Sequence, residues 1–96
     1  MDHKITIIGL GYVGLPLARL FSTKYPVVGF DINEKRIADL NAGKDDTLEV
    51  EDDLLKSALV PNNPDFGETG LFCSNKYEDI ADSNIYVVTV PTPVDK

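Results

Sequence analysis

Gly9, Gly11 and Gly14 stand in a G-x-G-x-x-G spacing directly after the apolar run Ile5-Thr6-Ile7-Ile8. That arrangement can hold phosphate groups. Gly9 permits a tight turn out of a strand, Gly11 has no Cβ to stand between the backbone and a pyrophosphate, and Gly14 lets the following helix pack close to a sheet. The N–H groups of that helix's first turn, and the positive end of its dipole, then face the anion. A glycine turn with no ligand is the alternative, and the surroundings of the turn argue against it.

The second residue that could do chemistry is Asp31, at the end of the apolar run Val27-Val28-Gly29-Phe30 and twenty residues past Gly11. A dinucleotide-binding fold places at this spacing the carboxylate that accepts hydrogen bonds from the adenosine ribose. A carboxylate here repels a 2′-phosphate and no basic residue directly follows it, so NAD is favoured over NADP. Arg36, five residues on, has two readings: a guanidinium laid against the adenine face, or a solvated arginine on a helix surface. Pro91 and Pro93 fix φ on either side of Thr92, which has two readings: an exit that holds the Thr92 hydroxyl toward the cofactor, favoured because the strand before it ends beside the glycine turn, or a strand end punctuated by prolines.

Strands are expected near 4–8, 27–31, 71–73 and 85–90, and helices near 13–23, 34–41, 51–59 and 77–81. Val13, Leu17, Leu20 and Phe21 fall on one face of the first helix, and that face is expected to pack on the sheet. Asn33 can cap the second helix and Gly43 can end it. The segment 60–70, rich in Pro, Asn and Gly, reads as a loop. The run 85–90 reads as a buried strand. Alternating strands and helices imply a parallel α/β sheet with helices on both faces, and right-handed crossovers give the strand order 3-2-1-4. The chain is thus expected to be one Rossmann-type domain over residues 1–96, incomplete because it stops after its fourth strand.

Composition narrows the function classes. With 9 basic and 16 acidic residues the net charge is -7, and the acids concentrate in 45–53, so nucleic acid and anionic membranes are poor partners. No apolar run approaches the roughly 18 residues of a membrane span, and no signal-peptide pattern opens the chain. A cytoplasmic location is expected. Cys73 is the single cysteine, which excludes an intrachain disulfide and fits a reducing compartment. It falls in an expected strand and reads as a small buried apolar residue, not a nucleophile. His3 is given no role, and no metal site is expected.

Ile8-Gly-Leu-Gly-Tyr-Val-Gly-Leu-Pro-Leu-Ala18, Gly29-Phe-Asp-Ile-Asn-Glu-Lys-Arg-Ile37 and Val90-Pro-Thr-Pro93 together resemble the amino-terminal part of the UDP-glucose/GDP-mannose dehydrogenase family. Asp46-Thr-Leu-Glu-Val50 and Leu15-Pro16-Leu17 are most similar to the branch that oxidises UDP-N-acetylhexosamines to uronic acids for bacterial surface polysaccharides. The resemblance implies oxidation of a C6 alcohol through an aldehyde to an acid in two NAD-dependent steps. It assigns Gly9, Leu10, Gly11, Tyr12, Val13 and Gly14 to the pyrophosphate, Asp31 and Arg36 to the adenosine, and Thr92 to the nicotinamide side. The family's catalytic cysteine, lysine, asparagine and aspartate have no counterparts here, so no catalytic residue is assigned. The UDP-sugar would be held by domains absent from these 96 residues, and the parent enzyme is expected to be a homo-oligomer. Two other classes share a strand, a glycine turn and a terminal acid: ligand-sensing nucleotide-binding modules and FAD-binding segments of flavoproteins. Tyr12-Val13 and Pro91-Thr92-Pro93 argue against both. Because an apolar strand at 85–90 would leave one edge unpaired, the chain alone is expected to self-associate or be marginally stable, and to lack dehydrogenase activity.

Overall fold

The computed structural model describes residues 3–11, 13–44 and 50–89. Four strands, β1 (Ile5–Ile8), β2 (Pro26–Phe30), β3 (Gly70–Ser74) and β4 (Ile85–Val88), form one sheet in the order β3-β2-β1-β4. Every neighbouring pair is parallel, as the alternating pattern predicts. Helices α1 (Gly14–Ser22), α2 (Glu34–Asn41) and α3 (Asp52–Ala58) lie between the first three strands in sequence, and a single 3-10 turn, Tyr77–Asp79, stands where a helix over 77–81 is expected.

The registers Ile5↔Val27, Ile7↔Gly29, Val27↔Leu71 and Gly29↔Cys73 put these residues on one face. Leu15 and Ala18 of α1, Ile37 and Leu40 of α2 and Leu55 of α3 complete a single core on that face. Each fully buried aliphatic side chain there contributes on the order of 1.5–3 kcal/mol. The opposite face carries Thr6, Val28, Phe30, Tyr86 and Val88. It is covered in part by the segment leading into β4: Tyr77 packs its ring on Phe30 with centroids 5.3 Å apart, and the Tyr86 hydroxyl donates to the Ile80 carbonyl.

Two expectations need correction. In α1 the buried residues are Gly14, Leu15, Ala18 and Ser22, while Val13 and Leu20 are 59% and 56% exposed. The inner face of the helix is formed by Leu15 and the small residues Gly14, Ala18 and Ser22; of the expected apolar face, Leu17 and Phe21 are partly buried against the core. In β4 burial alternates, with Ile85 and Val87 half-buried and Tyr86 and Val88 exposed. The side chains of this strand face both ways, and among the described residues no helix lies over the second face.

Local rules explain α2. The Asn33 side chain accepts from the Arg36 N–H at 3.1 Å, and Gly43, at φ 84°, ends the helix with its N–H on the Leu40 carbonyl. Pro16 is tolerated in α1 because it lies in the first turn, where a missing N–H breaks no helical hydrogen bond. A polar latch fixes the register of β4 on β1. Lys4, 1% exposed, pairs through Nζ with Asp82 at 2.9 Å. Its backbone N–H donates to Asn84 Oδ1 at 2.8 Å, and the Thr6 and Ser83 hydroxyls meet at 2.6 Å.

Candidate dinucleotide site

The strand order reverses between β1 and β4, and ligands of open α/β sheets bind at the carboxyl ends of the strands at such a point. β1 leaves the sheet through Gly9, whose φ of 96° is left-handed. Its N–H donates to the Phe30 carbonyl at 2.8 Å, so β2 holds the turn from one side. A Cβ on Gly9 would lie 2.3 Å from the Thr89 carbonyl oxygen, and one on Gly14 would lie 1.7 Å from the Gly9 carbonyl oxygen. These two glycines are required by the protein itself. Gly11 differs, since a Cβ there would meet nothing within 4 Å.

Leu10 is fully buried, with its side chain over the bare Cα of Gly29. Its backbone is held by two charged side chains. The Leu10 N–H donates to Asp31 Oδ2 at 3.0 Å, and Arg36 Nε donates to the Leu10 carbonyl at 2.7 Å. Asp31 Oδ1 accepts from the Asn33 N–H at 2.9 Å. The arginine is thus half-buried, with its Nε on the turn, and is not a solvated arginine on the helix surface. Asp31 stands at the end of β2, half-buried. A carboxylate offers about four acceptor positions, so two N–H partners leave it able to accept more.

The amino terminus of α1 is built differently from that of α2. Among the described residues no side chain caps it, and no acid lies in its first turn, whereas α2 has Asn33 as its cap and Glu34 in its first turn. The Leu15 N–H donates to the Gly11 carbonyl at 3.2 Å, and the positive end of the α1 dipole remains directed at whatever lies beyond Gly11 and Val13. The bare Gly11, this helix end and the Asp31 carboxylate share one edge of the sheet, and their chemistry fits a pyrophosphate next to a ribose. Two hollows, of ≈250 Å³ between α1 and α3 and ≈430 Å³ along the loop 60–69, lie away from this edge. Tyr12, Pro91, Thr92 and Pro93 fall outside the described residues.

Thr89 is the participant that sequence reasoning misses. Its hydroxyl donates to the Gly9 carbonyl at 2.7 Å, and its N–H donates to the Ile8 carbonyl at 2.8 Å. In sequence it reads as one more β-former in an apolar run, and nothing local marks it. Cys73 is 1% exposed in β3. Burial pushes its thiol up from 9.0 to about 12, against a smaller opposing pull from the Arg36 charge. The folded state therefore binds this proton more tightly than the unfolded chain does. The resulting stability is complete below pH 9 and is lost as the pH rises from 9 toward 12. Native protein at pH 8 is expected to react with iodoacetamide far more slowly than urea-unfolded protein; equal rates would place the thiol at the surface. Among the described residues no three of His, Cys, Asp and Glu come together as a metal ligand set, and no helix is long and apolar enough to cross a membrane.

The sequence matches the UDP-glucose/GDP-mannose dehydrogenase family, NAD binding domain, over residues 3–96. It is 46% identical over 95 residues to UDP-N-acetyl-D-glucosamine 6-dehydrogenase of Pseudomonas aeruginosa, covering 99% of this chain and 20% of that enzyme. It is 38% identical over 93 residues to UDP-N-acetyl-D-mannosamine dehydrogenase of Pyrococcus horikoshii, covering 95% of the chain and 21% of the enzyme. A solved structure of UDP-D-ManNAc dehydrogenase from Pyrococcus horikoshii superposes with a TM-score of 0.79 at 34% identity, over 96% of this chain and 21% of that one. The chain spans about a fifth of the length of these relatives. With a parallel 3-2-1-4 sheet, a glycine turn at the end of its first strand and a match over residues 3–96, the chain belongs to the UDP-glucose/GDP-mannose dehydrogenase family as its NAD-binding domain.

Proposed function

We propose that these 96 residues are the cofactor-binding part of a cytoplasmic UDP-N-acetylhexosamine 6-dehydrogenase. The enzyme would oxidise the sugar's C6 alcohol to the uronic acid in two NAD-dependent steps for surface polysaccharide synthesis. The observation that carries the binding role is the uncapped, acid-free start of α1 beside Gly11, whose missing side chain the protein's own packing does not require. The substrate class is supported by the relatives, which are named as dehydrogenases of UDP-N-acetyl-D-glucosamine and UDP-N-acetyl-D-mannosamine.

Bound NAD supplies a hydride acceptor. In this reading the chain's own residues bind and orient it. Gly11, with the backbone of Tyr12 and Val13 and the start of α1 at Gly14, takes the pyrophosphate. Asp31 accepts from the adenosine ribose. Gly9 and Leu10 shape the turn at the pyrophosphate, Arg36 stands at the adenosine with its Nε on the Leu10 carbonyl, and Thr92 lies toward the nicotinamide. No residue of the chain is assigned a step at the sugar. The UDP-sugar and the catalytic groups belong to the other four-fifths of an enzyme of the relatives' length, and the whole enzyme is a homo-oligomer.

The test pairs the 96-residue chain with the full-length protein. The full-length protein is expected to reduce NAD with UDP-N-acetylglucosamine or UDP-N-acetylmannosamine, and the 96 residues alone are expected to produce no NADH with either. NADH formation by the short chain would overturn the division of labour. A full-length protein that used GDP-mannose in preference to both would overturn the substrate assignment.

A further inference from the structure

We propose that Thr89 is a positioning residue of the NAD site, holding with Asp31 the two ends of the peptide unit that joins Gly9 to Leu10. The proposal rests on the NAD-binding reading and adds to it a residue from the far strand. The oxygen of that peptide, the Gly9 carbonyl, accepts from Thr89 Oγ1 at 2.7 Å. Its N–H, on Leu10, donates to Asp31 Oδ2 at 3.0 Å. One contact comes from the residue that follows β4 and the other from the residue that follows β2, so a single peptide plane is fixed from both sides of β1.

The hydroxyl has one proton to give. The Ile8 carbonyl, 3.1 Å from Oγ1, already accepts the Thr89 N–H at 2.8 Å, so the proton is better placed on the closer Gly9 carbonyl. The next peptide is held as well, by Arg36 Nε on the Leu10 carbonyl. Such holding matters because Gly9, at φ 96°, has no side chain to limit its rotation. Rotating the Gly9–Leu10 peptide would redirect Gly11 and the start of α1, and it would have to break both the Thr89 and the Asp31 contacts. The same hydroxyl also bears on the third glycine, since a Cβ on Gly14 would lie 2.7 Å from Thr89 Oγ1. The hydroxyl is thus packed between the first and last glycines of the turn. A preorganised turn binds its anion without a further ordering cost, which is where affinity is gained.

Two substitutions in the full-length protein separate this role from a structural one. Thr89→Ser keeps the hydroxyl and drops the methyl; Thr89→Ala drops both and adds no bulk. By calorimetry at 25 °C, Thr89→Ala is expected to weaken NAD binding roughly tenfold, the scale of one lost hydrogen bond. Thr89→Ser is expected to stay within about threefold of the native protein. Thr89→Val, which keeps the shape without the donor, should follow the alanine variant. If alanine and serine bound NAD equally, the hydroxyl would have no part in positioning. A lower melting midpoint for alanine with an unchanged dissociation constant would make Thr89 structural only and overturn the proposal. A native protein with no measurable affinity for NAD would instead overturn the reading on which the proposal rests.

Discussion

Gly14→Ala is expected to damage the fold more than any other methyl addition in the glycine turn, while Gly11→Ala leaves the fold intact and removes cofactor affinity. A Cβ on Gly14 would lie 1.7 Å from the Gly9 carbonyl oxygen and 2.9 Å from the Gly9 carbonyl carbon. Both are backbone atoms that cannot swing aside, so α1 would have to move off the sheet and take the Leu15 and Ala18 packing with it. Overpacking against movable side chains costs about 1–3 kcal/mol, and a clash with fixed backbone costs more. In a domain whose total stability is on the order of 5–15 kcal/mol, that means a melting midpoint at least ~10 °C lower. Gly11 is the control, because the added methyl meets nothing of the protein. Its midpoint should move by no more than about 2 °C, the scale of a surface substitution. Its NAD dissociation constant should rise at least tenfold, by the ~1.4 kcal/mol such a change represents, since the methyl occupies the path of the pyrophosphate. Thermal melts and calorimetry on the two full-length variants give the comparison. A Gly11→Ala protein that melted as early as Gly14→Ala and bound NAD normally would show a glycine kept for the turn alone.

What could be read in the sequence is what short-range chemistry determines. Asn33 and Gly43 bracket α2 at Glu34–Asn41 because a cap and a left-handed stop act within a few residues. The order 3-2-1-4 follows from alternation and crossover handedness, which hold whatever the side chains are. The inner face of α1 was harder to see. Periodicity weighs large apolar residues and so favours Val13 and Leu20, but the inner face is formed by Leu15 with the small residues Gly14, Ala18 and Ser22. The exposed side of β4 was hidden for a related reason: an apolar run looks the same whether one face or two are covered. The support of the turn was least legible. Leu10 meets Asp31 across 21 residues, Arg36 across 26, and Thr89 meets Gly9 across 80. Only the assembled sheet brings such partners together, and each of the three side chains also suits an ordinary local role.

That support sharpens what Asp31→Asn should do. The carboxylate presents one oxygen to the Leu10 N–H and the other to the Asn33 N–H. An asparagine has a single oxygen and an NH₂ group, so whichever way the amide turns, one backbone N–H faces another donor. The ribose meanwhile loses a charged acceptor and keeps at most a neutral one. Both changes weaken NAD binding, and together they are expected to cost about 1.5–3 kcal/mol, a roughly ten- to hundredfold rise in the dissociation constant. The NADP affinity behaves differently. In the native protein the carboxylate repels a 2′-phosphate, so NAD should bind more tightly than NADP; removing the charge relieves that repulsion while leaving the turn loosened. The ratio of the two affinities should therefore shrink, chiefly because NAD binding falls. Calorimetry with both cofactors on native and Asp31→Asn full-length protein reads these effects separately. Equal affinity of the native protein for NAD and NADP would remove Asp31 from the ribose. A variant that lost thermal stability but kept its NAD affinity would leave the carboxylate with the Leu10 and Asn33 amides as its whole task.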